Sequence, residues 1–249
     1  MIILKSEREI QAMREAGRLT ALTHIEVAKA IAPGVTTAEL DAIADNFIRK
    51  MGGSPSFKGY MGYPASVCAS VNSVVVHGIP SPHTKLAEGD IISLDIGVIY
   101  GGFHGDAART WPVGKVTDEA RRLLEVTEES LKRGIAAVKL GGHLSDIGHA
   151  VQTYVENQGF SVVRDYVGHG IGTKMHEDPQ IPNFGPSGQG PQLRAGMVLA
   201  IEPMVNAGNY PVKVLDDGWT VVTLDGSLSA HFEHTVALTE QGAQILTLP

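Results

Sequence analysis

Apolar positions near the start of the chain recur every three or four residues, which predicts two amphipathic helices. The first helix is expected after Ser6, because Ser6 and Glu9 have the spacing of a capping box. Thr36 and Glu39 mark the start of the second helix in the same way, and Gly52-Gly53 ends it. The apolar stripe of the first helix comprises Ile10, Met13, Gly17, Ala21, His24 and Val27, and that of the second Leu40, Ile43, Ala44, Phe47, Ile48 and Met51.

Alternation of apolar and polar residues predicts strands further along the chain. Residues 67–77 alternate in this way, and two runs rich in β-branched residues, 90–99 and 103–111, flank Gly101-Gly102 as the arms of a hairpin. Two more helices are expected from near Thr117 and near Ser145. The remainder is mostly strands, interrupted by a Gly/Pro-rich loop at 183–192, so the pattern predicts a mixed α/β protein of the α+β type.

The two halves of the chain, about 1–110 and 111–249, resemble each other when one is shifted by 107 residues. The shift matches two helices, the glycines that end them, and a strand that finishes in a carboxylate. The matched pairs are Gly34 with Gly141, Leu40 with Ile147, Phe47 with Tyr154, Gly52 with Gly159, Leu86 with Leu193, Gly89 with Gly196, and Asp95 with Glu202. Chance similarity of two amphipathic helices is the alternative, but an offset kept as far as the acidic strand favours a duplicated unit with a pseudo-twofold axis.

Composition narrows the class of protein. The 249 residues suit one large domain or two small ones, and a net charge of −7 argues against nucleic acid as the main ligand. A lone cysteine cannot form an intramolecular disulfide, which suits a reducing compartment. The N-terminus lacks the apolar core of a signal peptide, and no apolar run approaches the roughly 18 residues of a membrane helix. We therefore expect a cytoplasmic protein that neither spans a membrane nor has one as a partner.

The predicted hairpin carries two aspartates, Asp95 and Asp106. In a hairpin whose loop has an even number of residues, the numbers of two paired residues add to an odd value. The numbers 95 and 106 also add to an odd value. Both side chains are therefore expected on one face of the hairpin, either directly opposed or diagonal. Opposed residues have Cβ atoms about 4.5–5.5 Å apart, where two carboxylates repel each other unless a cation lies between them. Two exposed aspartates beside a turn explain this motif equally well when it is taken alone.

Three further segments extend the acidic set. Glu202 and Glu233 lie in apolar or β-branched surroundings, and His169 stands among glycines. A buried glutamate is costly unless it is paired or bound to metal. Carboxylates with one imidazole suit Mn, Fe(II), Co or Zn, whereas structural zinc usually needs more cysteines than this chain has.

The order of these residues and their surroundings carry a resemblance to a known family. The strings GYPASVCASVNSVVVHGIP, DIGVIYGGFHGDAART, GHGIG, MHEDP and IEPMVNAG resemble those of methionine aminopeptidases of the pita-bread fold, over about residues 5–245. The chain is similar to the short bacterial-style type I group. The resemblance implies a duplicated unit whose curved, mainly antiparallel sheet is covered by helices. It also implies removal of the initiator methionine from nascent polypeptides, with preference for a small second residue.

The resemblance further implies roles for individual residues. Two divalent ions would be bound by Asp95, Asp106, His169, Glu202 and Glu233, with Asp106 and Glu233 bridging, and would activate a hydroxide that attacks the first peptide bond. His77 and His176 would contact substrate near that bond, and Glu202 would move a proton to the leaving amine. The methionine side chain would lie among Phe57, Tyr60, Tyr63, Cys68, Met175 and Trp219. Cys68 as a nucleophile is disfavoured, because no base is indicated beside it.

Weaker implications concern ions and partners. Asn72, Val74 and Ser229 resemble a monovalent-cation site, a monomer is expected, and a transient contact with the ribosome is left open. The nearest competing hypothesis is a hydrolase of the aminopeptidase P or prolidase type, although those relatives generally carry an additional N-terminal domain. A non-catalytic binding protein of this fold and a metal-free enzyme of this fold are also considered. All five ligand positions are filled, which disfavours both of these.

Overall fold

Four helices are present in the computed structural model, which describes residues 1–249. They are α1 (Glu7–Ala28), α2 (Thr37–Lys50), α3 (Asp118–Ala136) and α4 (Ser145–Asn157). Both predicted capping boxes form, since Ser6 and Thr36 each accept the backbone N–H of the glutamate three residues on. Thr117 caps α3 by accepting from Ala120 N. These local signals therefore identified where the first three helices begin.

Fifteen strands and one short 3₁₀ turn, Tyr60–Gly62, make up the rest of the regular structure. The strands of the first half are β1 (Ser54–Pro55), β2 (Val67–Val71), β3 (Val74–Val76), β4 (Ile91–Tyr100) and β5 (Phe103–Pro112). Those of the second half are β6 (Ser161–Val162), β7 (Gly168–Gly170), β8 (Glu177–Ile181), β9 (Val198–Ile201), β10 (Met204–Asn206), β11 (Val212–Val214), β12 (Val221–Thr223), β13 (Ser229–His231), β14 (His234–Thr239) and β15 (Gly242–Ile245).

All strand pairs are antiparallel, and the strands form four sheets. In the first sheet β4 pairs with β5 along one edge and with β1 and β2 along the other. The largest has the order β15-β14-β9-β7-β8, and two three-stranded sheets have the orders β13-β10-β6 and β11-β12-β3. One expectation is wrong: residues 67–77 are not a single strand. Asn72 adopts φ 54, so β2 and β3 diverge into different sheets.

The offset of 107 residues seen in the sequence recurs in the backbone. An isolated bridge joins Thr36 to Lys85 in the first half and His143 to Gln192 in the second. Gly34 N donates to Leu86 O, and Gly141 N donates to Leu193 O, at 2.7 and 2.9 Å. Equivalent positions thus make equivalent hydrogen bonds, as expected of a duplicated unit.

The core lies between the helices and the sheets. One cluster packs α1 and α2 against β4, and includes Leu19, Leu40, Ile48 and Leu94. Two further clusters pack α3 and α4 against strands of the second half. The hairpin β4–β5 also contacts strands β13 and β14 of the second half. None of the helices combines the length and the apolar character that crossing a membrane would need.

Candidate active site

The hairpin β4–β5 places its two aspartates on one face. Asp95 lies opposite Ala108, and Asp106 lies opposite Gly97. The side chains are therefore diagonal neighbours, since residues two apart on a strand share a face. Asp106 is only 2% exposed, and one oxygen of each aspartate is buried without a hydrogen-bond partner. Exposed aspartates beside a turn are therefore not the explanation of this motif.

The second half brings the other three residues to the same cavity. His169 lies in β7 opposite Ala200 of β9, Glu202 follows the end of β9, and Glu233 lies between β13 and β14. One ligand atom each from Asp106, His169 and Glu233 fall within 4.8 Å of one another. His169 Nε2 is 3.5 Å from Glu202 Oε1 and 3.9 Å from Asp106 Oδ2.

Burial of these carboxyl groups makes their charged forms unfavourable. It raises the pKa of Asp95 to about 7, and it raises the pKa values of Asp106, Glu202 and Glu233 well above their usual range. Charges on neighbouring carboxylates raise the last three further. The unpartnered oxygens include one from Glu233. Four crowded acids, three of which have a buried oxygen without a partner, fit divalent cations, which would supply the missing partners.

The imidazole of His169 is oriented for metal binding. Its Nδ1 lies 2.8 Å from the carbonyl oxygen of Gly170, which can only accept a hydrogen bond. Nδ1 therefore carries the proton, and Nε2 presents its lone pair to the carboxylates. Burial lowers the pKa of His169 to about 3, so the ring is neutral near pH 7, as a metal ligand must be.

His77 and His176 line the same cavity as the acidic cluster. His77 follows β3 with φ 60, a strained conformation that persists where the surroundings hold it. Its ring packs edge-on against Tyr166 and Trp219. His176 Nδ1 is 2.7 Å from Tyr60 Oη, and its ring centre is 4.3 Å from that of His169. Burial lowers the pKa of His77 to about 4 and lowers that of His176 as well.

An apolar pocket adjoins the carboxylates in a shared cavity of about 220 Å³. Its walls include all six residues predicted to surround a methionine side chain and all five predicted metal ligands. The six are Phe57, Tyr60, Tyr63, Cys68, Met175 and Trp219. Burial raises the pKa of the Cys68 thiol well above its usual value, with the charge on Asp95 as the second cause. The thiol therefore stays protonated, which is the opposite of what a nucleophile needs.

A larger cavity of about 510 Å³ lies between α1 and α3, on the other side of the hairpin. Of the acidic cluster it touches only Glu233. We assign the chemistry to the smaller cavity, because charged groups with unmet coordination converge only there.

The three residues expected near a monovalent cation occupy neighbouring backbone. Asn72 O accepts from Ser229 N, and Asn72 Oδ1 accepts from Ile91 N. Val74 lies at the start of β3 opposite Val222. The cation itself remains a prediction.

One residue of the site was missed from the sequence. His231 is 1% exposed, and its Nε2 lies 3.7 Å from Glu202 Oε2. The signal was available, because His231 precedes Glu233 by two residues, the spacing that places two side chains on one face of a strand. Burial lowers the pKa of His231 to about 3, which keeps it neutral.

Buried carboxylates and a neutral imidazole gathered in one cavity fit a metal-dependent hydrolase. A sequence profile of metallopeptidase family M24 matches residues 11–240. The methionine aminopeptidase 1 of Bacillus subtilis is 61% identical over 99% of each chain. The solved methionine aminopeptidase of Thermotoga maritima superposes with a TM-score of 0.98, at 48% identity and 100% coverage of both chains. The chain belongs to metallopeptidase family M24.

A prolidase of Pyrococcus furiosus shares the fold at greater distance. It is 24% identical with a TM-score of 0.80, and the similarity covers 99% of this chain but 66% of that one. The likeness is one of fold alone. The pita-bread fold expected from the sequence is thus confirmed, and the prolidase hypothesis rests on a distant relative.

Proposed function

We propose that this protein is a methionine aminopeptidase, which hydrolyses the first peptide bond of chains that begin with methionine. The observation that carries the assignment is the shared cavity, in which an apolar pocket opens directly onto the candidate metal ligands. The full-length similarity to methionine aminopeptidases supports it.

The metal site is proposed to hold two divalent ions, from among Co, Mn, Fe(II) and Zn. Asp95, Asp106, His169, Glu202 and Glu233 are the proposed ligands, with Asp106 and Glu233 shared between the ions. The unpartnered oxygens and the close ligand atoms support this assignment. When bound, such ions lower the pKa of water and polarise a carbonyl oxygen.

Two histidines and one glutamate are proposed to act on the substrate. His77 and His176, both neutral, would donate or accept hydrogen bonds near the scissile bond, where developing negative charge needs a donor. The hydroxyl of Tyr60 on Nδ1 of His176 leaves Nε2 of that ring free. Glu202 would carry a proton to the leaving amine, which its position in the shared cavity supports, with Oε1 3.5 Å from His169 Nε2.

The pocket walls explain a preference for methionine. Phe57, Tyr63, Cys68 and Met175 form one buried cluster, against which Tyr60 and Trp219 pack. A thioether packs favourably against aromatic edges, whereas a charged side chain would be desolvated there without a partner. Tyr60 and His77 are half-buried and line the same cavity, and they would crowd the second substrate residue and favour a small one.

We also propose where the protein acts, its oligomeric state, its partners and a monovalent-cation site. The substrates would be nascent polypeptides in the cytoplasm, met by a monomer through transient contact with the ribosome. A monovalent cation would bind near Asn72, Val74 and Ser229. The lone buried cysteine is compatible with a reducing compartment.

The experiment is a comparison of kcat/KM across peptides at one fixed metal. Met-Ala and Met-Gly peptides should be cleaved best, and Leu-Ala and Met-Leu peptides about 10–200-fold less well, the range that differences in apolar fit produce. Lys-Ala should be poorer still, because its charge would be desolvated in the pocket. Xaa-Pro peptides with Xaa other than Met should be poor. Preference for Xaa-Pro, or indifference to the first side chain, would overturn the assignment to methionine and leave a metal-dependent hydrolase.

A further inference from the structure

Glu202 lies between two buried imidazoles. His169 Nε2 is 3.5 Å from Oε1 of this carboxylate, and His231 Nε2 is 3.7 Å from Oε2. His169 belongs to the proposed ligand set, so the ligand role of Glu202 falls to the oxygen on that side. The second oxygen is left to face His231.

The backbone of His231 is held in place. Its N–H donates to Thr110 Oγ1 at 2.9 Å, and its carbonyl accepts from the same hydroxyl at 2.9 Å. Its strand β13 also pairs with β10, where His231 lies opposite Met204, two residues after Glu202. The ring therefore approaches Glu202 from a rigid position on the neighbouring strand.

Nε2 of His231 is buried and has no hydrogen-bond partner. The group that the structure places against it is a carboxylate oxygen, which can accept but, when ionised, cannot donate. A lone pair facing that oxygen would be repelled, so the tautomer with a proton on Nε2 is favoured. An unmet buried donor is costly, and the same donor would be satisfied by Glu202 Oε2.

We propose that His231 is a positioning residue, whose Nε2–H holds Oε2 of Glu202 and so keeps Oε1 turned toward His169 and the metal site. This inference rests on the proposed function for its metal, but not on the identity of the peptide substrate. Groups that orient ligands in this way typically contribute 10–100-fold to metal affinity.

Two variants of His231 distinguish the effect of its N–H donor on Glu202 from the effect of its side-chain volume. His231→Leu introduces an apolar side chain of similar size and removes the donor, whereas His231→Gln keeps an N–H at similar reach. Co(II) alone is titrated into the metal-free protein by calorimetry, and the visible absorption of bound Co(II) is recorded. His231→Leu should lose about 10–100-fold in the affinity of one Co(II) and change its spectrum, and His231→Gln should restore both.

A double-mutant cycle with Glu202→Ala, which removes the acceptor, identifies the partner. If His231 acts through Glu202, His231→Leu should cost little further Co(II) affinity in the Glu202→Ala background. Unchanged affinity in His231→Leu, additive losses in the cycle, or equal losses for Leu and Gln would each overturn the proposal. The last outcome would make the imidazole itself a ligand. Urea unfolding of each metal-free variant shows whether it is folded. Co(II) binding is measured without any peptide, so failure of this proposal can be distinguished from failure of the methionine assignment.

Discussion

Tyr60 and His176 are joined by a hydrogen bond of 2.7 Å between Oη and Nδ1, across 116 residues of sequence. Tyr60 comes from the 3₁₀ turn of the first half, and His176 comes just before β8 in the second. The contact therefore closes the rim of the pocket and orients one proposed substrate-binding ring from the opposite half of the fold.

This contact predicts a graded effect on turnover. Tyr60→Phe should lower kcat/KM on a Met-Ala peptide roughly 2- to 12-fold, the equivalent of a hydrogen bond of about 0.5–1.5 kcal/mol. His176→Ala should cost more, about 10²–10⁴-fold, as loss of an acid–base group typically does. Both variants, like His77→Ala, should still bind two ions by calorimetry. Loss of one ion in a histidine variant would transfer that histidine to the ligand set.

The buried carboxyl groups predict an unusual pH dependence for the metal-free protein. Their folded-state pKa values are raised, Asp95 to about 7, so the folded state holds protons that the unfolded chain releases. Its free energy of unfolding should therefore fall as pH rises from about 6.5 to about 8. The buried histidines have lowered pKa values, which make stability rise with pH below roughly 6.5, so the carboxyl effect is cleanest above that value.

Chelation provides the measurement. Urea unfolding of chelator-treated protein at several pH values should show the decline, whereas protein saturated with Mn(II) should not, because the ions displace those protons. Chelation should also abolish peptidase activity, and added metal should restore it. A metal-free protein that gains stability from pH 6.5 to 8, or that retains full activity after elemental analysis finds no metal, would contradict the proposed metal site.

The raised pKa of the Cys68 thiol predicts that it takes no part in bond cleavage. Cys68→Ala should retain kcat, with a moderate rise in KM for Met-Ala, since the substitution removes only one sulfur from the pocket wall. Iodoacetamide should react slowly at pH 7.5, because thiolate is scarce and the residue is 4% exposed. A loss of kcat as large as that of His176→Ala would contradict this prediction and indicate that Cys68 takes part in catalysis.

Helix α1 approaches strand β5 where two glycines meet. A Cβ on Gly105 would lie 2.5 Å from Gly17 N, which is closer than any real contact. Gly105→Ala should therefore reduce the free energy of unfolding by about 1–3 kcal/mol, the usual cost of overpacking. Gly142→Ala is the control, because its Cβ would come no nearer than 3.2 Å to its neighbours. Equal losses in urea unfolding for the two variants would show that the crossing is not tightly packed.

Signals that span a few residues predicted much of this protein. The capping boxes at Ser6 and Thr36 marked two helix starts, and parity across Gly101-Gly102 placed Asp95 and Asp106 on one face. Each depends on neighbours along the chain, so the sequence carries it directly. Parity could not decide between an opposed and a diagonal pair, because register depends on how the turn closes.

Contacts between residues far apart in the chain could not be predicted from such local signals. The break at Asn72, the approach of His231 to Glu202 and the bond from Tyr60 to His176 depend on how four sheets are placed relative to one another. The sequence by itself determined where the helices and the β4–β5 hairpin lie and the residue types of a metal site, since these follow from local spacing and chemistry. Only the tertiary structure decided which oxygens are buried without partners and which rings face them, because burial is a property of packing between distant segments.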